Sequence, residues 1–120
     1  MSNEPLVSII INCFNGEKYL RKCIESVISQ TYKNWEIIFW DNKSSDRSAQ
    51  IFKSYKDTRL KYYLADNHSS ILYQARNYAL DKAGGEFIAF LDADDWIGKE
   101  TLQELYTTLS SNNMASFSFP

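Results

Sequence analysis

Cysteine, histidine, glycine and proline are all scarce in this 120-residue chain, which has two cysteines, one histidine, four glycines and two prolines. Cys13 and Cys23 are too few for a disulfide framework, and Cys23 falls inside a helical pattern. We expect both thiols to be reduced packing residues and the chain to be cytoplasmic. Low-complexity tracts, linkers and internal repeats are also absent, so the sequence predicts one domain.

Long apolar runs and an excess of positive charge are absent too. The longest apolar run is far shorter than the roughly 20 residues that span a bilayer, and the opening MSNEPL lacks the basic and apolar regions of a signal peptide. A formal net charge of -2 repels phosphates rather than collecting them. We therefore expect no nucleic-acid partner. The 44% hydrophobic composition suffices for one ordinary core.

Short apolar runs alternate with amphipathic segments along the chain, which is typical of a parallel sheet with crossover helices. Strands are predicted at residues 6–12, 35–41, 59–64 and 86–92. Asn15 is expected to cap the first helix, and Ser44 or Ser45 the second. The third helix is predicted to run from about residue 69 or 70 to the Gly84-Gly85 pair, and a fourth follows the last strand.

The composition of the strands predicts their order in the sheet. Residues 59–64 alternate polar and apolar side chains, as an edge strand does, whereas the other three strands are largely apolar. Right-handed crossovers then favour the order 3-2-1-4 in a Rossmann-like, three-layer α/β sheet. That order leaves the apolar fourth strand at an edge, where residues 114–119 resemble the opening of a fifth strand. We expect the 120 residues to be the first part of a longer protein.

Three aspartates follow the fourth predicted strand within four positions, namely Asp92, Asp94 and Asp95. If the chain stays extended there, Asp92 and Asp94 point to the same side and Asp95 points away. Two carboxylates about 5 Å apart repel by about 3 kcal/mol at an effective dielectric of about 20. A divalent cation would reverse that repulsion, and oxygen ligands at an open strand end suit Mg²⁺ or Mn²⁺.

The acidic segment is also compatible with other interpretations. Asp95 could simply cap the last helix, and acidic clusters often lie solvated in loops. An EF-hand is excluded because Trp96 and Ile97 occupy positions that need an oxygen ligand and a glycine. Aspartate-nucleophile phosphatases and receiver domains need acids after the first strand, where Asn12-Cys13-Phe14 stands. Neither a P-loop nor a G-x-G-x-x-G motif is present.

Two segments together resemble the nucleotide-sugar-binding half of family 2 glycosyltransferases, which have the GT-A fold. They are VSIIINCFNGEKYLRKCIESVISQTYKNWEIIFWDNKSSD and QARNYALDKAGGEFIAFLDADD. The resemblance covers about residues 6–110 and includes the ordered strand-end motifs of the family. It implies that residues 1–120 are the donor-binding part of a GT-A domain whose acceptor half is absent. The implied activity is transfer of a sugar, with inversion, from a nucleoside diphosphate donor, as in polysaccharide biosynthesis.

The resemblance also assigns roles by position. Asp94, with Asp92, matches the metal-binding acids, so Mn²⁺ or Mg²⁺ is the implied cofactor. Phe14 matches an aromatic residue that stacks on the base, and Arg76 matches an arginine near the diphosphate. The nucleotide-sugar-binding set that it implies is Asn12, Phe14, Asn15, Asp41, Asn42, Arg76 and Asp92.

This chain departs from the family pattern at three places. Asn12-Cys13 replaces Pro-Thr, Asn42 replaces an acid, and Lys43 replaces a glycine. The amide oxygen of Asn42 could still accept a hydrogen bond from a uracil N3-H, which favours UDP without settling the base. His68 is expected to be a surface residue, and no catalytic residue is predicted in this chain because the family's general base lies in the missing half.

The predicted partners follow from the same resemblance. They are a nucleoside diphosphate sugar, with UDP-sugar favoured, and a saccharide or lipid-linked saccharide acceptor. Peripheral membrane association of a longer protein is left open. The alternative function is a non-catalytic nucleotide-binding or protein-interaction module that forms a homodimer through an uncovered fourth strand.

Overall fold

Strands and helices alternate along the chain in a computed structural model that describes residues 4–68, 72–112 and 116–118. The strands are β1 (Val7–Cys13), β2 (Trp35–Asp41), β3 (Leu60–Leu64), β4 (Phe87–Phe90) and β5 (Ser116–Ser118). The helices are α1 (Glu17–Ile28), α2 (Ser48–Lys53), α3 (Leu72–Leu80) and α4 (Thr101–Asn112).

The strands form one sheet in the order β3-β2-β1-β4-β5, and every pairing is parallel. The predicted order 3-2-1-4 is confirmed, with β3 at one edge and a fifth strand beyond β4. Because β5 pairs with β4, the free β4 edge that the homodimer hypothesis required does not exist.

Alternating residues of the central strands bury into two separate layers, which explains why β1 and β2 carry apolar residues on both faces. Ile9, Ile11 and Ile37 face the larger core, to which α1 and α4 contribute Leu20, Ile24 and Leu102. Ile10 and Ile38 point to the opposite face, where they meet Ala79 of α3. A strand covered on both faces favours β-branched and aromatic residues, and these make up most of β1 and β2.

Three expectations about helix ends are wrong. Neither Ser44 nor Ser45 caps α2, because Arg47 occupies its N-cap position and no side chain caps it. Asn15 does not cap α1, because Gly16 occupies the N-cap position and no side chain caps it. Helix α3 ends at Leu80, before Gly84, because hydrogen bonds to carbonyls three residues back close a tight turn at residues 82 and 83. The predicted start of α3 near residue 69 or 70 lies outside the described residues.

Gly85 belongs to the entry into β4 instead of to the end of α3. A Cβ atom at this position would lie 2.6 Å from the Ser8 hydroxyl oxygen and 2.7 Å from the Leu6 carbonyl oxygen. Glycine is therefore required by the close approach of two backbones. None of the helices in the described residues is long and apolar enough to cross a membrane.

A buried carboxylate, Glu36, joins several elements at the amino edge of the sheet. Its two oxygens accept hydrogen bonds from the Ser8 hydroxyl (2.5 Å), the Lys61 ammonium (2.7 Å) and the Gly84 amide (2.8 Å). Burial by itself raises the pKa of Glu36, but these three donors outweigh it and hold the pKa below its ordinary value. The negative charge of Glu36 is thus compensated by donors from the surrounding fold.

Candidate functional site

The polar segments that follow β1, β2 and β4 meet at the carboxyl edge of the sheet. Cys13, at the end of β1, lies beside Asp41, at the end of β2. Phe90 of β4 lies beside Ile10, so the chain after β4 continues next to the end of β1. In open parallel sheets this edge is where ligands bind.

The three acids after β4 form one compact cluster. Asp92, Asp94 and Asp95 each place a carboxylate oxygen within 4.8 Å of the others. The expectation that the chain stays extended and turns Asp95 away is wrong, because β4 ends at Phe90 and the Asp95 amide donates to the Asp92 carbonyl at 3.0 Å. That turn brings Asp95 back toward the other two acids.

The acidic cluster has one positive side chain close to it among the described residues. The pKa of Asp92 is raised, first because its carboxyl is partly buried, then because Asp95 and more weakly Asp94 lie nearby. Arg76 opposes this shift from 3.9 Å and is the one cation that pairs with these acids among the described residues. Three oxygen ligands with so little compensation fit a hard divalent cation such as Mg²⁺ or Mn²⁺.

Arg76 reaches the crevice from α3, on the far side of the sheet from the larger core. Its guanidinium carbon lies 5.0 Å from the centre of the Phe90 ring, and one of its nitrogens faces Asp92. The side chain is half-buried, so its charge is not a freely solvated surface charge. This placement leaves guanidinium donors available to an anion bound at the acidic cluster.

The end of β1 supplies an unpaired acceptor and an exposed ring. The side-chain oxygen of Asn12 is buried and has no hydrogen-bond partner among the described residues. A buried polar atom without a partner is uncommon in proteins and is a candidate ligand contact. Phe14, two residues later, leaves 51% of its surface exposed.

Asp41 is enclosed more tightly than the sequence suggested. It is only 1% exposed, and its two oxygens accept hydrogen bonds from the Ser44 amide (2.8 Å) and the Tyr62 hydroxyl (2.5 Å). Burial, and then this bond to Asp41, raise the pKa of Tyr62. Asp41 therefore holds the loop after β2 in place. Its neighbour Asn42 is 8% exposed, and the Asn42 amide donates to the Cys13 carbonyl at 2.8 Å.

The loops after β1 and β2 are locked together around Asn15. This residue has a left-handed backbone, with φ of 53°, and its side-chain oxygen accepts from the Ser45 amide at 2.7 Å. The amides of Asn15 and Gly16 donate to the hydroxyls of Ser44 and Ser48, both at 2.9 Å. The backbone amides just before α1 are thus bound by the loop after β2 and by the first residue of α2, and Asn15 is placed to shape the crevice.

Three residues of this edge contact predicted site residues but were not themselves predicted to belong to the site. Asp95 could have been found from the turn preference of consecutive Ala-Asp-Asp residues, but the extended-strand assumption hid it. His68 is exposed, as expected, yet its ring contacts Phe14 and the Asn42 carbonyl. Tyr62 lies in an edge strand, and no sequence signal links it to Asp41.

The comparisons with known proteins agree with this geometry. The family model of glycosyl transferase family 2 matches residues 8–119. An Escherichia coli UDP-Glc:alpha-D-GlcNAc-diphosphoundecaprenol beta-1,3-glucosyltransferase, WfgD, is 40% identical over 111 residues, which are 92% of this chain and 44% of the enzyme.

Two solved structures share the fold. Residues 1–349 of S. aureus TarS, in complex with UDP-GlcNAc, superpose with a TM-score of 0.83 at 32% identity, over 89% of this chain and 32% of TarS. The Pyrobaculum calidifontis mannosyltransferase PcManGT, in complex with GDP-Man and Mn²⁺, has a TM-score of 0.78 at 23% identity, over 91% of this chain and 33% of that enzyme. This second likeness shows the fold alone.

The chain spans less than half the length of each of these relatives. The expected GT-A type of fold is confirmed, because the structural neighbours are GT-A glycosyltransferases. With the family match extending over nearly all of its residues, the chain belongs to glycosyl transferase family 2.

Proposed function

We propose that this chain is the donor-binding region of an inverting glycosyltransferase that takes a UDP-sugar together with Mn²⁺ or Mg²⁺. The observation that carries the proposal is the cluster of Asp92, Asp94 and Asp95 beside Arg76 at the carboxyl edge of the sheet. Three acids with one cation next to them need a positive ligand, and a metal with a diphosphate is such a ligand. The bound UDP-GlcNAc of TarS supports the choice of nucleotide.

Different residues of the chain bind different parts of the nucleotide-sugar donor. Phe14 stacks on the base, and the buried side-chain oxygen of Asn12 accepts a hydrogen bond from the nucleoside. Asn42 gives the base an uncharged polar neighbour. Asp41 and Asn15 hold these groups in position through their bonds to the loop after β2. Arg76 donates to the diphosphate.

The acids complete the site at the phosphate end. Asp94 and Asp92 hold the cation, and the turn after β4 adds Asp95 to them. When bound, the cation would neutralise the charge that develops on the departing diphosphate. Arg76 adds a second positive group, which opposes repulsion between Asp92 and the phosphates.

The rest of the reaction belongs to residues outside this chain. We propose that the general base and the acceptor site lie in a further C-terminal half, since the chain spans 44% of WfgD and 32% of the TarS fragment. A saccharide or lipid-linked saccharide with a free hydroxyl is the proposed acceptor, in keeping with the name of the WfgD enzyme. A cytoplasmic location is proposed because both cysteines are free and buried.

Calorimetric titration tests the proposal directly. The chain is titrated with UDP, GDP and deoxythymidine diphosphate, each with Mn²⁺ and again with a chelator. We expect UDP to bind with Mn²⁺ and to lose most of its affinity with chelator. Absence of binding by all three nucleotides to a folded chain would contradict the proposal, and concentration-dependent association without a nucleotide effect would favour an interaction module.

A matched pair of variants checks the site. Asp94→Ala is expected to abolish metal-dependent UDP binding while the fold stays intact. Asp81→Ala is the control, because Asp81 is an exposed acid beyond the end of α3. Equal affinities of the two variants would show that the nucleotide binds elsewhere.

A further inference from the structure

His68 connects three loops at the base end of the crevice. Its Nδ1 atom lies 3.0 Å from the Asn42 carbonyl oxygen, in the loop after β2. Its ring centre lies 4.3 Å from that of Phe14, in the loop after β1, with the two planes tilted by 50°. His68 itself follows β3, so one side chain ties together the segments beyond β1, β2 and β3.

The hydrogen bond fixes the chemical form of the imidazole. A carbonyl oxygen can only accept, so Nδ1 must carry the proton that it donates. In the neutral ring Nε2 is then unprotonated. The same bond restrains the peptide between Asn42 and Lys43, where Lys43 has a left-handed backbone with φ of 64°. Left-handed backbone at a non-glycine residue is uncommon and needs support from its surroundings.

The ring contact limits the surface that Phe14 offers to a base. Phe14 is 51% exposed, and the tilted imidazole occupies part of the space next to its ring. A six-membered pyrimidine needs less of that surface than a bicyclic purine. Imidazole combines a planar ring with a hydrogen-bond donor, and His68 is the chain's single histidine.

We propose that His68 is a positioning residue that orients Phe14 and the Asn42 peptide and thereby makes the crevice prefer a pyrimidine nucleotide over a purine nucleotide. The inference rests on the proposed function, because it assigns the base preference of the same donor site. His68 touches Phe14 and Asn42, and through them it sets the room available to the base.

The first test compares nucleotide affinities in three variants by calorimetry with Mn²⁺. His68→Ala is expected to weaken UDP binding about tenfold, which is about 1.4 kcal/mol, and to leave GDP binding nearly unchanged. His68→Phe keeps a ring without the donor, so it should retain the preference for UDP at reduced affinity. Asp66→Ala, an exposed acid in the same loop, is the control and should behave as the unmodified chain.

The second test observes the imidazole itself. Because His68 is the single histidine, its ring nitrogens give one unambiguous set of ¹⁵N resonances. We expect the Nδ1-H tautomer in the free protein and a change in its chemical shifts when UDP and Mg²⁺ are added. A structural role without influence on the base would leave these resonances unmoved by UDP.

The outcomes separate the two proposals. If the unmodified chain binds UDP but His68→Ala keeps both its affinity and its preference over GDP, the inference about His68 is wrong and the proposed function stands. An Nε2-H tautomer in the free protein also overturns the inference, even if His68→Ala fails to fold. If the unmodified chain binds no nucleotide, the proposed function fails, and the role of His68 fails with it.

Discussion

Acidic side chains lie at opposite edges of the same parallel sheet, and their pKa values are shifted in opposite directions. Glu36, at the amino edge, is buried and receives hydrogen bonds from Ser8, Lys61 and Gly84, so its pKa lies below the ordinary value. Asp92, at the carboxyl edge, has a raised pKa because of its partial burial and its acidic neighbours. The charge of Glu36 is compensated by donors within the fold, whereas Asp92 has one cation, Arg76, beside it among the described residues.

This difference indicates what each edge contributes. Removing a satisfied buried acid leaves its donors unpaired and costs stability. Removing one of several mutually repelling acids relieves strain and costs binding, which is the usual relation between stability and function at a site. The two edges should therefore respond oppositely to the loss of one carboxylate.

Glu36→Ala is expected to have the largest effect. It strips three donors of their acceptor in a nearly closed environment, since the Glu36 side chain is 5% exposed. The free energy of unfolding should fall by about 2 to 3 kcal/mol, as measured by urea denaturation. The folded fraction should keep its UDP affinity. An unchanged unfolding midpoint would contradict the claim that Glu36 stabilises the amino edge of the sheet.

Asp95→Asn should have the reverse profile. Because the turn after β4 brings Asp95 within 4.8 Å of the other two acids, we expect metal-dependent UDP affinity to fall about tenfold, or about 1.4 kcal/mol. Stability should stay the same or rise. The affinity is measured by calorimetry with Mn²⁺, and Asp66→Asn in the loop after β3 is the control. A destabilised variant with normal affinity would assign Asp95 to the fold.

Acid should weaken the protein partly through Glu36. A carboxyl whose folded pKa is lowered contributes stability that is full above its ordinary pKa, about 4.3 for glutamate, and is lost as the pH falls through the folded pKa. Unfolding free energies of the unmodified chain and Glu36→Gln are compared between pH 6 and pH 3. The unmodified chain should lose more, and parallel curves would contradict the lowered pKa.

Lys61→Met is expected to have the smallest effect. Lys61 pairs with Glu36 at 2.7 Å, but its side chain is 48% exposed, so water replaces most of what the pair contributes. The free energy of unfolding should fall by about 1 kcal/mol or less, well below the loss in Glu36→Ala. Equal losses in the two variants would mean that the ion pair, and not the bonds to Ser8 and Gly84, secures this edge.

Much of the fold followed from local patterns in the sequence. The run at residues 35–41 matched β2 at both ends, and the alternation at residues 59–64 placed β3 at the edge of the sheet. Such signals arise because burial on one or two faces leaves a period of two or a continuous apolar run. Helix ends were less well predicted. Asparagine is a common N-cap residue, but the Asn15 side chain accepts a hydrogen bond from the Ser45 amide instead of capping α1.

The site was only partly predictable for the same reason. The sequence determined that Asp92 and Asp94 follow β4, and the parallel strand order places the ends of β1, β2 and β4 at the same edge of the sheet. Only the tertiary structure decided that Asp95 turns back toward the other two aspartates and that His68 contacts Phe14. It also decided that Tyr62 and Ser44 donate hydrogen bonds to Asp41. Periodicity reports which face a residue takes, whereas contacts between loops from different strands depend on backbone turns that no local pattern specifies.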